Sequence, residues 1–235
     1  MLKLLLSQIK RLIPGCCLLC NQRSNTGLDL CTPCWQKLPW LRHACLQCAH
    51  PIEHQSARYC GACLSKPPAY DNTLTPFIYQ DAIIPLMAKL KFHRNLSIGR
   101  LFGSLLARHI QEREIASLPT LLLPVPLHPR RLRQRGYNQA IIIAEHLSKQ
   151  LNIPMNRTLC KRLRNTAAQS RTPAKERMQN VNNAFQITFR QPPQHVAIID
   201  DVMTTGATVN ALSKALKKAG VARVSVWCCA RTAKQ

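Results

Sequence analysis

Acidic residues are scarce in this chain of 235 residues: ten Asp and Glu stand against 33 Lys and Arg, and the formal net charge is +23. A single sugar diphosphate would use only a few of these charges, so the excess indicates a polyanionic partner such as nucleic acid. A solubilising basic surface is the alternative, because charge alone does not specify a partner. A zinc ion in four thiolates carries a formal charge of about −2, so even two such sites would leave the chain strongly basic.

Long hydrophobic runs are also missing. The longest apolar stretches, residues 4–6 and 121–125, fall far short of the roughly 18 to 20 residues that cross a bilayer, which excludes a membrane-spanning helix. At the start of the chain, Lys3, Lys10 and Arg11 interrupt the leucines and no small-residue cleavage site follows. A short amphipathic helix is therefore expected there rather than a secretory signal, and the protein is predicted to be cytoplasmic.

The distribution of cysteine divides the chain. Hydrophobic residues make up 46% of it, enough to bury a core, but the cysteine density falls and the pattern changes after Pro67 and Pro68. We therefore predict three parts: an N-terminal amphipathic segment at 1–15, a small zinc-binding module at 16–66, and a larger domain at 67–235.

Eight of the twelve cysteines form four Cys-x-x-Cys pairs, separated by 10, 10 and 11 residues. The pairs are Cys17 and Cys20, Cys31 and Cys34, Cys45 and Cys48, and Cys60 and Cys63. Two residues between cysteines let both sulfurs face one ion, and a second pair completes a tetrahedron, so two closed, structural zinc sites are predicted. Free thiols or disulfides are the alternative, but no export signal indicates an oxidising compartment.

The sequence leaves the ligand pairing open, because two sequential ribbons and an interleaved arrangement both satisfy the spacing. Substitute ligands exist as well: Cys16 in place of Cys17, or a histidine in place of a thiolate. The candidate histidines are His43, His50 and His54. Trp35 and Trp40 either stack on nucleic-acid bases or form the core of the module, and the core is the commoner role of an aromatic residue in so small a unit.

Strands and helices are predicted to alternate along the larger domain. Strands are expected at 73–79, 121–125, 157–162, 185–189, 196–199 and 223–228, and helices at 83–92, 96–112, 139–151 and 208–219. This order is typical of an α/β fold with a mostly parallel sheet flanked by helices.

In the segment 195–208, an apolar strand runs directly into two carboxylates, a hydroxyl-rich turn and a helix. Such a turn lies outside the carboxyl end of a parallel strand, where open α/β sheets bind ligands. Its backbone N–H groups and hydroxyls suit a phosphate, with the helix dipole behind them. The ligand-binding residues predicted there are Thr204, Thr205, Gly206, Ala207 and Thr208. An ordinary threonine N-cap would explain the hydroxyls but not the acids beside them.

The two acids, Asp200 and Asp201, repel each other unless a cation or hydroxyl donors lie close to them. A ribose diol and Mg²⁺ with retained waters would supply both. The segment resembles the signature of type I phosphoribosyltransferases, in which the two acids hold the ribose hydroxyls and the following loop holds the 5-phosphate. This resemblance implies that the domain binds phosphoribosyl diphosphate or ribose 5-phosphate with Mg²⁺, and that Asp200 and Asp201 are the catalytic pair if the domain is active.

Two further blocks narrow the resemblance. One is 124–139, Pro-Val-Pro-Leu-His-Pro-Arg-Arg-Leu-Arg-Gln-Arg-Gly-Tyr-Asn-Gln, and the other begins with Arg-Asn-Thr-Ala-Ala-Gln at 164–169 and continues to residue 182. With the four Cys-x-x-Cys pairs upstream, nearly the whole chain resembles the ComF family of competence-associated proteins. That resemblance implies a type I phosphoribosyltransferase fold behind a double zinc ribbon. It also implies a cytoplasmic role in handling single-stranded DNA during natural transformation, with a competence helicase or translocase as a partner.

The first block is rich in arginine. Arg130, Arg131, Arg133 and Arg135 follow a strand end within one predicted loop, ahead of Tyr137. Four cations there suit a diphosphate, and in the resembling enzymes this loop binds pyrophosphate. They suit a nucleic-acid backbone equally well, with Tyr137 as a stacking platform, so both ligands stay open.

The resemblance also implies a role for a mobile loop, whereas the role of Asn138 and Gln139 stays open. In the resembling enzymes a mobile loop, here about 163–181, closes over the reacting centre. Its charged contributors would be Arg171, Lys175 and Arg177. Asn138 and Gln139 either belong to the ligand-binding block or simply cap the next helix.

Three functions therefore compete. The first is a competence factor that binds single-stranded DNA and the sugar phosphate. The second is an active phosphoribosyltransferase on a base or on DNA, in which Mg²⁺ and arginines neutralise the leaving pyrophosphate while Asp200 and Asp201 stabilise the positive charge on the ribose. The third is a nonenzymatic sensor of phosphoribosyl diphosphate. No nucleobase pocket is recognisable in the sequence, so the first function ranks highest.

Overall fold

A computed structural model describes residues 15–24, 26–54, 56–113, 115, 117–163 and 184–233. The strands within them are β1 Gly15–Cys16, β2 Arg23–Ser24, β3 Asn72–Leu74, β4 Phe77–Ile78, β5 Leu121–Pro124, β6 Cys160–Arg162, β7 Phe185–Ile187, β8 His195–Met203 and β9 Arg223–Arg231. The helices are α1 Thr32–Gln36, α2 Gly61–Ser65, α3 Ile83–Phe92, α4 Leu96–Gln111, α5 Pro129–Arg135, α6 Gln139–Leu151 and α7 Ala207–Lys218. None of these helices combines the length and apolarity needed to cross a membrane.

A parallel sheet forms the centre of the larger domain. Its strands follow the order β3, β9, β8, β5, and β4 also pairs with β9, beyond β3 along the same edge. Every pairing in this sheet is parallel, as the alternation of strands and helices predicts. β6 and β7 form a separate antiparallel pair. Because the strands are parallel, the carboxyl ends of β5, β8 and β9 meet at one edge of the domain.

Helices cover both faces of the sheet. On one face, α4 and α6 pack against each other and against the strands; on the other, α7 packs on β8 and β9. Along β8, Ala197 and Ile199 belong to the core under α4 and α6, whereas Val196 and Ile198 belong to the core under α7. This is the two-residue alternation of a strand buried on both sides. The alternation holds as far as Ile199; beyond the two acids, Val202 packs with the core of Ala197 and Ile199, and Met203 is buried with Val196 and Ile198.

Each cysteine ribbon joins a different core. Leu30 and Leu38 of the first ribbon are buried with α4 and α6, while Cys45 and Cys63 of the second are buried with α7. Trp35 and Trp40 pack together at 4.9 Å and against the first core, so their predicted core role is confirmed. The ribbons thus extend the hydrophobic interior of the sheet domain on both of its faces.

Several predicted elements need correction. The arginine block is not a loop: α5 begins with Pro129 after an N-capping His128 and ends at Gly136, whose φ is 80°. The strand predicted at 196–199 runs on through both acids as β8, and the one predicted at 223–228 continues to residue 231 as β9. The strand predicted at 73–79 is divided into β3 and β4. The helices predicted at 83–92 and 139–151 have those bounds in α3 and α6.

Candidate ligand-binding site and metal centres

Strand β8 carries the two acids near its carboxyl end, in contrasting surroundings. Asp201 faces α3 and the start of α6, where it contacts Lys91 and Gln139, and the carboxyl groups of Asp200 and Asp201 are close enough to interact with each other. Asp201 is buried and Asp200 is half-buried. The pair therefore sits at the rim of the sheet, with each carboxylate in a different environment.

Asp201 is held by protein groups on both oxygens. Its Oδ2 accepts from the Lys91 ammonium at 2.9 Å and from Gln139 Nε2 at 3.2 Å, and its Oδ1 accepts from the N–H of Val202 at 2.8 Å. Burial alone would raise the pKa of Asp201, but the Lys91 charge at the end of α3 holds it below the ordinary value. Asp201 is therefore an ionised carboxylate already neutralised by a cation of the chain.

Asp200 is the less engaged member of the pair. Its Oδ1 accepts from the N–H of Asp201 at 2.9 Å. Burial, followed by the charge of Asp201, raises the pKa of Asp200 well above its usual range. The pKa values of the two acids are thus shifted in opposite directions. A hydroxyl donor or a cation bound nearby would therefore change the ionisation of Asp200 more than that of Asp201.

The 204–208 turn follows β8 directly. Thr204 and Thr205 are exposed, and the Thr205 hydroxyl accepts from the N–H of Ala207 at 3.3 Å. Gly206 is buried at the start of α7 with φ 76°, a left-handed conformation that favours glycine. The N-cap residue Gly206 offers no side-chain acceptor, so Ala207 is the residue of this first turn whose N–H has a side-chain partner in the described residues, and the positive end of the helix dipole lies at the turn. The arrangement is suited to an anion.

Three buried side chains, those of Tyr70, Met203 and Arg231, lie behind this turn. A Cβ on Gly206 would come within 3.2 Å of the Tyr70 hydroxyl and 2.7 Å of the Met203 methyl carbon Cε. The guanidinium of Arg231, at the end of β9, donates from Nη1 to the carbonyl of Met203 at 3.1 Å and to that of Thr204. The backbone of the turn is therefore supported from inside the protein.

Helix α5 separates the four predicted arginines into two pairs. Arg130 and Arg133 are exposed, whereas Arg131 and Arg135 are half-buried and line a pocket of about 380 Å³. Residues four apart share one face of a helix, which is why Arg131 and Arg135 point the same way. The lining residues of this cationic pocket are Lys91, Phe92, Arg94, Arg131, Gln134 and Arg135. Since Lys91 also contacts Asp201, the pocket adjoins the acidic pair.

Phe92 gives the cationic pocket an exposed aromatic ring. It is 70% exposed, and the Arg135 guanidinium lies 5.6 Å from its centroid. Arg94 adopts a left-handed φ of 53°, and its Nη2 would lie 2.9 Å from a Cβ on Gly136, so the glycine makes room for the guanidinium. A non-glycine residue in this conformation is strained, and such strain is common at binding sites.

The residues just before α6 have structural roles. Asn138 caps α6, since its Oδ1 accepts from the N–H of Ala140 at 3.0 Å and its Nδ2 donates to the Val125 carbonyl at 2.9 Å. Gln139, in contrast, contacts Asp201 and so belongs to the site. The Tyr137 ring packs against the core and its hydroxyl is buried, which raises the pKa of the phenol. Phe92 is therefore the better exposed ring for stacking.

The third predicted block lies outside the described residues. Its charged members Arg171, Lys175 and Arg177 fall between 164 and 183, and no geometry is assigned to them.

The four cysteine pairs assemble sequentially into two four-sulfur clusters. One contains Cys17, Cys20, Cys31 and Cys34, and the other Cys45, Cys48, Cys60 and Cys63. Within each cluster all four sulfurs lie within 4.8 Å of one another, and the sulfurs of Cys20 and Cys31, like those of Cys48 and Cys60, are 3.6 Å apart. Four sulfurs at about 2.3 Å from a central zinc are about 3.8 Å apart, so both clusters fit the ion. Neither cluster recruits Cys16 or a histidine.

Comparison with known proteins agrees with this architecture. A model of the double zinc ribbon domain matches residues 8–64, and a model of the phosphoribosyl transferase domain matches residues 138–235. The chain thus has a type I phosphoribosyltransferase fold behind a double zinc ribbon.

Similar full-length relatives narrow this class. DNA utilization protein YhgH of Escherichia coli (strain K12) is 34% identical, with 94% of this chain and 98% of the relative covered. Competence protein F of Haemophilus influenzae is 35% identical over 86% and 90% of the two chains, and competence protein ComFC of Bacillus subtilis (strain 168) is 25% identical over 88% and 90%. The chain belongs to this family of competence proteins, as the sequence motifs predict.

Sequence reasoning did not find Lys91, Arg94 or Arg231, and it left Gln139 undecided between a ligand contact and a helix cap. Lys91 lies in a predicted helix, Arg94 just after that helix, and Arg231 just after a predicted strand. None of the three belongs to a local motif that would mark it as part of a site. Lys91 carried one indirect signal: two adjacent acids require a cation, and a protein cation meets part of that need.

Proposed function

We propose that the protein is a cytoplasmic competence factor that binds phosphoribosyl diphosphate or ribose 5-phosphate with Mg²⁺ at residues 200–208. On the adjoining cationic pocket it binds single-stranded DNA, which a competence helicase or translocase delivers. One observation supports this proposal: an acidic pair, the N-terminus of α7 and a pocket whose charged lining residues are all basic lie side by side.

The site offers hydrogen-bond donors for the phosphate and a carboxylate acceptor for the ribose hydroxyls. The 5-phosphate would bind at the exposed hydroxyls of Thr204 and Thr205 and at the N–H groups of the first turn of α7. The ribose hydroxyls would donate to Asp200, whose carboxylate is the less engaged of the pair. Carboxylate oxygens also suit Mg²⁺, which, when bound, would neutralise part of the diphosphate charge. The cations of the pocket would hold the remainder.

Single-stranded DNA is supported by the combination of cations and an exposed ring. Surfaces that bind single strands pair a basic groove for the backbone with aromatic side chains for the bases. Here Arg94, Arg131 and Arg135 surround Phe92, which is 70% exposed. The names of the relatives, competence and DNA utilization, support the same partner.

The test is a titration with fluorescent oligodeoxythymidylate, with and without phosphoribosyl diphosphate and Mg²⁺. We expect sequence-tolerant binding whose logarithmic salt dependence has a slope of about −0.7 per phosphate contact. Replacing Arg131 and Arg135 by Ala should flatten this slope by about 1.4, because two contacts are lost. Replacing Arg130 and Arg133 on the outer side of α5 provides a control with the same change of charge.

Equal effects of the two double variants would mean that net charge, not the pocket, attracts the strand. Phe92→Ala should weaken DNA binding while leaving ribose 5-phosphate affinity unchanged, and Phe92→Tyr should retain binding because it keeps the ring. An unchanged affinity in Phe92→Ala would move the DNA surface elsewhere. Release of pyrophosphate from phosphoribosyl diphosphate with a panel of bases would establish transferase activity in place of simple binding.

A further inference from the structure

Arg231 is a buried cation without a carboxylate partner. It is 3% exposed, and within the described part of the chain it forms no ion pair. All of its hydrogen bonds go to oxygens of the backbone or of Thr232. Because a buried charge requires a compensating charge or a dense set of dipoles, the partners of this guanidinium reveal what it depends on.

Those partners lie on two different parts of the protein. Nε donates to the carbonyl of Cys48 at 2.9 Å, in the second cysteine cluster. Nη1 donates to the carbonyls of Met203 and Thr204, where β8 passes into the 204–208 turn. The planar guanidinium of Arg231 therefore connects a cluster of metal-ligating residues to the backbone that would bind the phosphate.

The cluster side of this link is itself firmly docked. Three successive carbonyls of the knuckle at 45–48 accept hydrogen bonds from the larger domain: Leu46 from the N–H of Thr73 at 3.2 Å, Gln47 from the Thr73 hydroxyl at 2.6 Å, and Cys48 from Arg231. Zinc would fix this knuckle, because structural zinc supplies most of the folding free energy of such a module. With zinc, the four thiolates would carry a net charge of about −2, a counter-charge for the buried guanidinium.

A second connection runs parallel to the first. Gln47 Nε2 donates to the carbonyl of Tyr70 at 3.3 Å, and the Tyr70 side chain lies beneath Gly206. The backbone N–H of Ala69 donates to Asn210 Oδ1 at 2.7 Å, in the first turn of α7. Among the described residues, the first ribbon has no such connection to the turn, since its core residues pack under α4 and α6 on the opposite face.

We propose that Arg231 is a positioning residue that makes the order of the 204–208 turn depend on the metal in the second ribbon. The metal-loaded knuckle fixes the guanidinium, and the guanidinium fixes the carbonyls of Met203 and Thr204. Zinc loss at the second site therefore loosens the turn, whereas zinc loss at the first site does not. The consequence for ligand affinity rests on the proposed function, but the mechanical link does not.

Hydrogen–deuterium exchange of the ligand-free protein tests the link directly. Arg231→Lys keeps the charge but loses the planar guanidinium, so the hydrogen-bonded amides of Ala207 and Asn210, which donate to Thr205 Oγ1 and to the Gly206 carbonyl, should exchange about tenfold faster, the equivalent of one hydrogen bond to a charged group. Arg223→Lys is the control: this exposed arginine lies at the other end of β9 and donates to Ser117. Protection of α6 reports whether each variant is folded. Equal exchange of the turn in Arg231→Lys and the wild type would overturn the proposal.

The dependence on zinc is tested with one ligand from each cluster. Cys60 and Cys34 are both half-buried, so Cys60→Ser and Cys34→Ser are a matched pair. Only Cys60→Ser should accelerate exchange of the turn, and adding Arg231→Lys to it should cause no further acceleration. Additive effects, or equal effects of both cysteine variants, would contradict the link. If Cys60→Ser also loses α6 protection, stepwise removal of zinc from the wild type by a chelator gives the same readout.

Titration with ribose 5-phosphate then separates the two proposals. Arg231→Lys should raise the dissociation constant about tenfold, in step with the loss of protection. If the wild type does not bind ribose 5-phosphate, the proposed function fails while the exchange result stands. If the turn loosens and affinity stays constant, the link is mechanical only and its regulatory role is refuted.

Discussion

The most demanding test of the candidate site is Gly206→Ala. Gly206 has φ 76°, a left-handed conformation that costs an L-residue about 1–2 kcal/mol. The new Cβ would also lie 2.7 Å from Met203 Cε and 3.2 Å from Tyr70 Oη. The methionine end is flexible and can move, but Tyr70 is 3% exposed and is held by its surroundings. The free energy of unfolding should therefore fall by about 2–3 kcal/mol.

The structure supplies a control for backbone strain in the same helix. Gly220 follows the far end of α7 with φ 94°, and a Cβ there would lie 3.1 Å from Pro192 Cγ. Gly220→Ala should lose a similar amount of stability, but it lies about 20 Å from the turn along the axis of α7. Urea unfolding would measure stability in both variants, and calorimetric titration would measure ribose 5-phosphate affinity.

Affinity for ribose 5-phosphate should fall about tenfold or more in Gly206→Ala and stay unchanged in Gly220→Ala. The reason is that the Cβ displaces the backbone whose N–H groups would contact the phosphate, and losing one charge-assisted hydrogen bond is worth about 1.5–3 kcal/mol. A stable Gly206→Ala variant with normal affinity would refute both the strain and the assignment of the turn. Equal loss of affinity in both variants would attribute the effect to general destabilisation.

Three further outcomes are expected. Purified protein should contain two zinc ions per chain by elemental analysis, because each cluster has four thiolates; one ion would mean that one cluster has another role. Lys91→Met should lower the free energy of unfolding, measured in urea, by about 2 kcal/mol, because it leaves Asp201 buried without its cation. A variant as stable as the wild type would show that the ion pair does not contribute to stability. Affinity for Mg²⁺ and ribose 5-phosphate should rise with pH, because the ligands favour the ionised form of Asp200 whereas its pKa is raised in the free protein. Calorimetry should detect the release of protons on binding. Binding independent of pH would exclude Asp200 from the contact.

The strongest local patterns of the sequence predict much of this fold. The apolar runs that become β5 and β8, and the periodic segments that become α3 and α6, appear at the expected positions because burial on one or two faces dictates their composition. The cysteine spacing likewise predicts two four-sulfur clusters. It does not reveal that the pairing is sequential, because both arrangements satisfy the same local geometry and only the docking on the sheet domain distinguishes them.

The sequence does not predict helix α5, for a different reason. Pro129 at its first turn and Gly136 at its end are ordinary helix signals, but the dense positive charge between them suggested a ligand-binding loop. The consequence is functional, since a helix divides four cations into a pocket-facing pair and an exposed pair. The contacts of Lys91 and Arg231 are long-range, so they follow from the order of strands in the sheet rather than from any neighbouring residue.

The positions of the two ribbons indicate what they contribute to the structure of the larger domain. β3 and β4 lie at one edge of the sheet, and an uncovered edge strand invites pairing with another chain. Residues preceding the larger domain cover this edge: Ile78 donates its N–H to the carbonyl of Pro39 at 2.9 Å, and Thr73 donates its N–H to that of Leu46 at 3.2 Å. Each ribbon also completes the core on one face. The metal clusters therefore finish the sheet domain as a structure, and the second one does so directly behind the turn that is proposed to bind the sugar phosphate.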